Sequence, residues 1–265
     1  MRILVTRPAA QAEDWVAQLQ HSELDAVALP LIEIAAPLGL AAVHQARAAL
    51  PSQQLVFFVS PNAAEWFFSQ QAEPAAWPLT AQAASPGPGT SAVLRRCGVP
   101  ANLIVEPAAD AAQFDSESLW AVLEKDNWSG ASVMVVRGDG GRDWLAEQLR
   151  EAGAVVSFVS AYRRMAPQFT ASALALTHAA LAQPQRHLWF FSSSEAVLNL
   201  MQAPQLQAPR ADWSCSTALA THPRIADSAR ASGFGCVFTC RPTLEAVVAE
   251  VRACIQSRDG EPCRE

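Results

Sequence analysis

The sequence contains a single lysine, Lys125, and no cluster of basic residues, although 19 of its 265 residues are lysine or arginine. The formal net charge is −6. Nucleic-acid-binding proteins typically carry a basic face, so we expect no nucleic-acid partner. Nearly all positive charge resides on arginine, whose planar guanidinium binds carboxylates and phosphates through paired hydrogen bonds. A compositional preference of the genome explains the same excess of arginine, and both interpretations remain open.

The six cysteines form no C-x-x-C pair, and no histidine stands at the spacing of a zinc finger. The apolar run in the opening "MRILVTRP" is too short for a signal peptide, and no segment reaches the length of a membrane span. We therefore expect a cytoplasmic protein with reduced thiols, no metal site and no membrane association.

Short apolar runs alternate with helical patterns along the chain. Continuous apolar strands separated by helices are typical of parallel sheets covered on both faces, so the alternation predicts an α/β fold. The predicted strands are 2–6, 25–34 (interrupted by a proline), 55–59, 101–107, 132–136, 154–162, 187–191, 216–220 and 236–240. The predicted helices are 9–20, 62–70, 116–125, 141–152, one directly after residue 191, 223–232 and 243–256.

The alternation contains an internal repeat. "ILVTRPAAQAEDWVAQL" at 3–19 resembles "VMVVRGDGGRDWLAEQL" at 133–149, and both place an arginine just after a strand. The corresponding residue pairs, in chain order and at slowly increasing separation, are Arg7 with Arg137, Ser60 with Ser192, and Thr90 with Arg224. This pattern predicts two similar α/β domains facing each other across a cleft.

Two of the predicted strands stop abruptly at polar turns, in "FFVSPNAAEWF" at 57–67 and "FFSSSEAVLNL" at 190–200. A helix that begins there presents unpaired N–H groups and partial positive charge, which suit a carboxylate or phosphate. The carboxyl ends of parallel strands are also where open α/β sheets bind ligands. Ordinary helix capping by the serines is the alternative. The candidate binding residues in the repeated turns are Arg7, Ser60, Asn62, Thr90, Arg137, Gly138, Arg142, Ser192, Ser193, Thr221 and Arg224.

No carboxylate pair, Ser–His couple or metal-ligand cluster stands among these turns. "RGDGGR" at 137–142 lacks the lysine of a phosphate-binding loop and the spacing of a dinucleotide-binding fingerprint. The turns therefore favour a polyanionic ligand bound mainly by backbone amides.

Eight motifs in this order resemble the uroporphyrinogen-III synthase family, from residue 1 to about residue 255. Each motif alone is weak, and their order makes the resemblance specific. They are "ILVTRP" at 3–8, "FVSPNA" at 58–63, "GPGT" at 87–90, "VRGDGGRDWLAEQLREAGAVV" at 136–156, "AYRR" at 161–164, "FSSSEAVLNL" at 191–200, "THPRIADSAR" at 221–230 and "PTLEAVVAEV" at 242–251.

The resemblance implies two flavodoxin-like α/β domains with parallel sheets, joined by a two-strand linker, with the active site in the inter-domain cleft. Residues 1–36 with 166–265 would form one discontinuous domain, and 39–160 the other. The linkers would lie near 33–38 and 161–168. The tail "CIQSRDGEPCRE" at 254–265 extends beyond the resemblance and is expected to be disordered.

The reaction implied by the resemblance closes hydroxymethylbilane, a linear tetrapyrrole with eight carboxylates, to uroporphyrinogen III with inversion of ring D and loss of water. Departure of the hydroxyl would give an azafulvenium cation, and a spiro intermediate would then fragment and reclose. The protein's task is to hold the substrate's conformation and help a hydroxyl leave, which implies no metal and no cofactor. A monomer is expected, with hydroxymethylbilane synthase as a transient donor of substrate.

Tyr162, the only tyrosine, matches the family's tyrosine on a linker strand, to which help with hydroxyl departure is attributed. A neutral phenol can donate a hydrogen bond or a proton; a packing role is the alternative. Ser60, Thr90 and Ser192 match small polar positions that line the family's cleft. Arg7, Arg137 and Arg142 would pair with acetate or propionate groups, or alternatively with aspartates and glutamates of the chain itself.

Two other classes of function remain compatible with the sequence. A non-catalytic two-domain protein could bind a polyanion or tetrapyrrole through the same turns. A regulatory or partner-binding module derived from the synthase is the second alternative. The full set of motifs and the lack of any additional domain argue against this module.

Overall fold

The computed structural model describes residues 1–69, 76–206 and 211–259, with only the backbone described at 258 and 259. Contacts divide the chain into two compact units. Unit 1 comprises Met1–Glu33 and Met165–Glu265, and unit 2 comprises Ile34–Arg164.

Strands and helices alternate through both units, as the sequence predicts. The strands are β1 (Arg2–Val5), β2 (Ala26–Ala28), β3 (Glu33–Ala35), β4 (Leu55–Phe58), β5 (Gln82–Ala84), β6 (Ile104–Val105), β7 (Ser132–Gly138), β8 (Val155–Met165), β9 (His187–Phe191), β10 (Thr217–Ala220) and β11 (Cys236–Thr239). The helices are α1 (Ala9–His21), α2 (Leu40–Ala48), α3 (Pro61–Ser69), α4 (Pro88–Arg96), α5 (Ser116–Leu123), α6 (Trp144–Glu151), α7 (Ala171–Ala182), α8 (Ser194–Gln202), α9 (Pro223–Ala231) and α10 (Leu244–Asp259).

Unit 1 contains a five-stranded sheet in the order β2-β1-β9-β10-β11, and all of its pairings are parallel. Every residue of β9 and β10 is buried, which explains why these strands are continuous apolar runs in the sequence. The core on one face joins Ile3, Phe190 and Leu219 to Val247 and Val251 of α10.

Unit 2 contains a six-stranded sheet in the order β3-β8-β7-β4-β5-β6. The pairings of β7 with β4 and β8, and of β5 with β4 and β6, are parallel. The ladder between β7 and β8 shifts register between Arg137 and Gly138, so that Gly138 lies opposite Tyr162. The segments predicted as linkers contain β3 and the end of β8, which lie side by side in this sheet.

The two sheets repeat the same order, which gives the internal repeat its physical meaning. In sheet order, β2-β1-β9-β10-β11 of unit 1 corresponds to β8-β7-β4-β5-β6 of unit 2. The strand before Arg7 therefore corresponds to the strand that contains Arg137, and the strand before Ser192 to the strand before Ser60. The prediction of two similar parallel α/β domains is confirmed.

The prediction of one strand over 25–34 is wrong. The segment forms β2 in the sheet of unit 1 and β3 in that of unit 2. Between them the amides of Leu29 and Leu31 still donate to the carbonyls of Val5 and Thr6, at 2.9 and 3.2 Å. The buried apolar residues of this extended connection resemble a strand in the sequence, because local pattern does not reveal a change of sheet.

Four elements have no counterpart in the sequence-based prediction: α2, α4, α7 and β5. Helix α7 is an alanine-rich segment with apolar residues on all sides, so it lacks helical periodicity. Strand β5 has three residues, and two of them are alanines without strong β-propensity. Helix α4 begins at the Pro-Gly pair of "GPGT", which indicates a turn when it is read alone.

The expected disorder after residue 254 is wrong for its first part, because α10 continues through Asp259. Residues 260–265, including Cys263, lie outside the described residues. All five cysteines in the described part of the chain are free thiols. Burial raises the pKa of the Cys240 thiol to about 12, which keeps it protonated.

Among the described helices, none combines the length and apolarity needed to cross a bilayer.

An aromatic cluster fills the core of unit 2 on the face covered by α3. The ring of Phe58 lies 5.5, 5.8 and 6.1 Å from the rings of Phe67, Phe68 and Trp77. Phe58 is fully buried at the carboxyl end of β4, so its packing holds the turn that follows this strand.

Replacing Phe58 with alanine should lower the free energy of unfolding by about 3–5 kcal/mol, because a large ring is lost from a packed core. Leu198→Ala on α8 is the control, since Leu198 is 49% exposed. Chemical denaturation followed by circular dichroism measures both variants. Equal shifts of the unfolding midpoint would contradict the packing described here.

Candidate functional site

The strand order of each sheet indicates one expected ligand-binding position at its carboxyl edge. All parallel strands of a sheet end at the same edge, and ligands bind where the strand order reverses. In unit 1 the reversal lies between β1 and β9, and in unit 2 between β7 and β4. The residues that follow these four strands are those singled out by the repeated turns.

Arg7 follows β1, is half-buried, and forms no ion pair among the described residues. Its guanidinium donates to Gln11 Oε1 at 3.3 Å and lies 4.9 Å from the centre of the Trp15 ring. Its Nε is buried and has no hydrogen-bond partner within the part of the chain that the structure describes. Burial lowers the pKa of the Arg7 guanidinium to about 10. A bound carboxylate would supply the ion pair that this guanidinium lacks among the described residues.

The turns after β9 and β10 supply the other polar groups of unit 1. Ser193 caps α8 by accepting from the amide of Glu195 at 3.2 Å, so ordinary capping holds there. His222 caps α9 through Nδ1, which accepts from the amide of Arg224 at 3.1 Å. Thr221 is buried and its amide donates to the carbonyl of Phe191 at 3.1 Å. Ser192 is half-buried, and the side chain of Arg224 is exposed.

Ser60 and Tyr162 meet at the carboxyl end of β4. The hydroxyl oxygens lie 3.2 Å apart, and Ser60 Oγ also accepts from the amide of Ala63 at 3.2 Å. The ring of Tyr162 lies against Gly138, where a Cβ atom would come within 3.0 Å of the tyrosine Cζ. A side chain at position 138 would therefore require this ring to shift by a few tenths of an ångström. The neighbouring Asn62 is half-buried in the first turn of α3.

Thr90 lies in the first turn of α4, which begins at Pro88. Thr90 is 3% exposed, and its amide donates to the carbonyl of Gly87 at 3.1 Å. The hydroxyl of Ser85 contacts Ser91 Oγ at 2.8 Å and accepts from the amide of Gly87 at 3.1 Å. The polar Ser85 therefore closes the turn and leaves no unsatisfied hydroxyl in the core.

Arg137 and Arg142 form ion pairs within the chain. Arg137 pairs with Asp143 and lies 4.3 Å from the centre of the Phe158 ring. Arg142 contacts Glu117 at 2.5 Å at an exposed site. These two arginines therefore have acidic partners in the chain itself, whereas Arg7 has none within the described residues.

Among the described helices, α2 begins after Gly39 without a side-chain cap, and so do three helices that follow β1, β5 and β7. They are α1 after Pro8, α4 after Gly87 and α6 after Asp143. By contrast, Asp115 caps α5 and Thr170 caps α7. The uncapped helix starts keep backbone N–H groups for a ligand, and the helix dipole favours an anion there.

A cavity of about 480 Å³ lies in unit 2 beside the end of β7. Arg137, Asp139, Ser160 and Arg163 contribute to its lining. The last three are not among the binding residues predicted from the repeated turns. Arg163 belongs to the quoted motif "AYRR", and its position next to Tyr162 on the same strand could have identified it.

Thr6 was also missed, although it directly follows β1. It is buried, and its hydroxyl donates to the carbonyl of Phe190 at 2.8 Å, which ties the ends of β1 and β9 together. Its position directly after a predicted strand could have identified it. Within the described residues, no three His, Cys, Asp or Glu side chains are grouped as metal ligands.

The chain is similar to one well-defined family. The sequence profile described as "Uroporphyrinogen-III synthase HemD" matches residues 13–249. A uroporphyrinogen-III synthase from Synechococcus elongatus is 30% identical over 257 residues, which cover 94% of this chain and 89% of that protein. The protein of that name from Salmonella typhimurium is 31% identical over 170 residues, covering 64% of this chain and 67% of its own length.

Solved structures share the fold at lower sequence identity. A mutant uroporphyrinogen III synthase from Thermus thermophilus superposes with a TM-score of 0.59 at 16% identity, covering 97% of this chain and 99% of its own. The uroporphyrinogen-III synthetase of Helicobacter pylori gives a TM-score of 0.54 at 14% identity, covering 96% and 98%.

Replacing Arg7 with methionine should raise the midpoint of chemical unfolding, because an apolar side chain takes the place of a buried charge without an ion pair. The gain should be complete below pH 10, where the folded protein carries the charge, and should shrink as the pH rises from about 10 toward 12.5. Unfolding titrations at several pH values measure this difference.

Arg95→Met is the matched control. Arg95 contacts Glu106 at 2.8 Å on the surface, so its loss should leave stability unchanged or slightly lower. An Arg7 variant that is less stable than the Arg95 variant would show that the arginine has a structural partner after all.

Proposed function

The chain belongs to the uroporphyrinogen-III synthase family, and from that membership we propose how its residues carry out the reaction. It is a cyclising lyase of tetrapyrrole biosynthesis, which converts hydroxymethylbilane to uroporphyrinogen III with inversion of ring D and loss of water. Family membership favours this enzyme over a polyanion-binding protein without turnover.

One observation supports the substrate assignment above the others. The uncapped starts of α1, α4 and α6 lie at the carboxyl ends of parallel strands, and so does Arg7, which forms no ion pair with any described residue. Backbone amides and one buried guanidinium suit a ligand that carries several carboxylates. We propose that the carboxyl edges of both units bind the acetate and propionate groups of the substrate.

Arg7 is the arginine that we assign to direct pairing with a substrate carboxylate. Arg137 and Arg142 are engaged with Asp143 and Glu117, so they contribute by fixing the loop between β7 and α6. The loop then presents Gly138 and the amides at the start of α6. Ser60, Asn62, Thr90, Ser192, Ser193, Thr221 and Arg224 complete the proposed binding set.

The chemistry requires little beyond positioning. Spontaneous closure of the substrate gives the uninverted type I isomer, so the protein must hold the chain in the conformation from which ring D inverts. It must also help the hydroxyl of the terminal hydroxymethyl group to depart. We propose that Tyr162 contributes to this help through its phenol, which lies at the carboxyl end of β4 in contact with the Ser60 hydroxyl.

We further propose a cytoplasmic monomer that receives its unstable substrate from hydroxymethylbilane synthase and binds neither nucleic acid nor membrane. The net charge of −6 supports the absence of a nucleic-acid partner. Gel filtration and a coupled assay with the donor enzyme test the oligomeric state and the transfer.

The function is tested by analysing the isomers formed from freshly prepared hydroxymethylbilane. The purified protein should yield the type III isomer, whereas buffer alone yields type I, and chromatography after oxidation separates the two. Formation of type I alone, at the spontaneous rate, would refute the enzymatic function.

Tyr162→Phe should lower kcat by roughly 10²-fold or more, since general-acid assistance typically contributes 10²–10⁴-fold. The ring keeps its contact with Gly138, so the unfolding midpoint should change little. Initial rates of type III formation and chemical unfolding measure the two properties. A normal kcat would assign Tyr162 to packing alone.

A further inference from the structure

Tyr162 is too buried to present its hydroxyl directly to a large substrate. The residue is 2% exposed and belongs to the core of unit 2 with Met134 and Val136. Its ring is held against Gly138 on one side. A rotation that exposed the phenol would have to open this packing.

Ser60 occupies the position between that phenol and the strand edge. It is half-buried and directly follows Val59 at the carboxyl end of β4. Its oxygen lies 3.2 Å from the tyrosine oxygen and accepts from the amide of Ala63 at 3.2 Å. Of the two residues, Ser60 is the more exposed to solvent.

The numbers of donors and acceptors indicate which hydroxyl donates in the hydrogen bond between Ser60 and Tyr162. A serine hydroxyl has two acceptor positions and one proton. The amide of Ala63 fills one acceptor position, and the phenol of Tyr162 fills the other when it donates. The serine proton is then directed to a third partner. Two incoming hydrogen bonds and the start of α3 polarise the serine O–H and strengthen it as a donor.

We propose that Ser60 is the residue that donates to the departing hydroxyl of the substrate, and that Tyr162 is a positioning residue that acts through Ser60. This inference rests on the proposed function. The tyrosine orients and polarises the serine hydroxyl, and Gly138 holds the tyrosine in place.

The step balances without an additional reactant. The C–O bond of the hydroxymethyl group breaks, and its electron pair leaves with the oxygen. That oxygen takes the Ser60 proton and departs as water, while the pyrrole nitrogen's electron pair stabilises the cation that remains. Ser60 takes the phenol proton of Tyr162. The proton that the α-carbon of ring D loses when the macrocycle closes restores the phenol.

The test is a double-mutant cycle on kcat for type III formation, using Ser60→Ala, Tyr162→Phe and the double variant. Ser60→Ala should lower kcat by roughly 10²-fold, and adding Tyr162→Phe should cost nothing further, because the tyrosine acts through the missing hydroxyl. KM should change less than kcat in both single variants. Ser60→Thr, which restores a hydroxyl, should recover most of the rate.

Loss of the helix cap is controlled separately. Thr170→Ala removes a cap from α7 with the same geometry, a contact of 3.2 Å to the amide three residues later, and should leave kcat unchanged. Ser60→Gly removes the hydroxyl but keeps a residue type that helix starts accept, so it serves if the alanine variant is unstable.

Three results would overturn the inference. One is a kcat for Ser60→Ala no lower than that of Thr170→Ala. Another is a Tyr162→Phe loss in the Ser60→Ala background equal to its loss in the wild type, which would make the tyrosine a direct donor. The third is a Ser60 effect confined to KM. If the wild-type protein forms only type I isomer, the proposed function itself fails, and this outcome is distinct from all three.

Discussion

The parallel arrangement of the strands is the constraint on which the rest of this structure depends. It directs every strand end, and every helix start that follows, to one edge of each sheet. Backbone N–H groups and helix dipoles accumulate there whatever the side chains are. A duplicated unit therefore provides two such edges, and a ligand with many carboxylates can be bound with few charged residues. Arg137 and Arg142 form ion pairs within the chain, whereas Arg7 forms none among the described residues.

Much of the fold could be predicted from the sequence, because buried parallel strands are continuous apolar runs. The strands ending before Ser60 and Ser192 and the repeat between 3–19 and 133–149 were sufficient to infer two similar α/β units. The failures have local causes. Strand β5 is too short and too rich in alanine to produce a pattern, α7 lacks a polar face, and the exchange of sheets after Ala28 depends on long-range pairing.

The sequence was sufficient to predict which residues lie at the strand ends, but not which contacts their side chains make. Residues after strand ends were identified correctly as the edge residues, but residue type did not reveal which arginines were already paired. Whether Asp143 and Glu117 reach Arg137 and Arg142 depends on the loop between β7 and α6. The contact of Ser60 with Tyr162 joins residues 102 positions apart and has no signature in the sequence.

Hydrogen exchange of backbone amides with and without uroporphyrinogen III, kept under inert gas, tests the central claim most directly. We expect saturating ligand to slow exchange at the starts of α1, α4 and α6, where no side chain caps the helix. The capped starts of α5 and α7 should show smaller changes and serve as internal references. Slowed exchange confined to the amino ends of the strands, or equal at capped and uncapped helix starts, would contradict it.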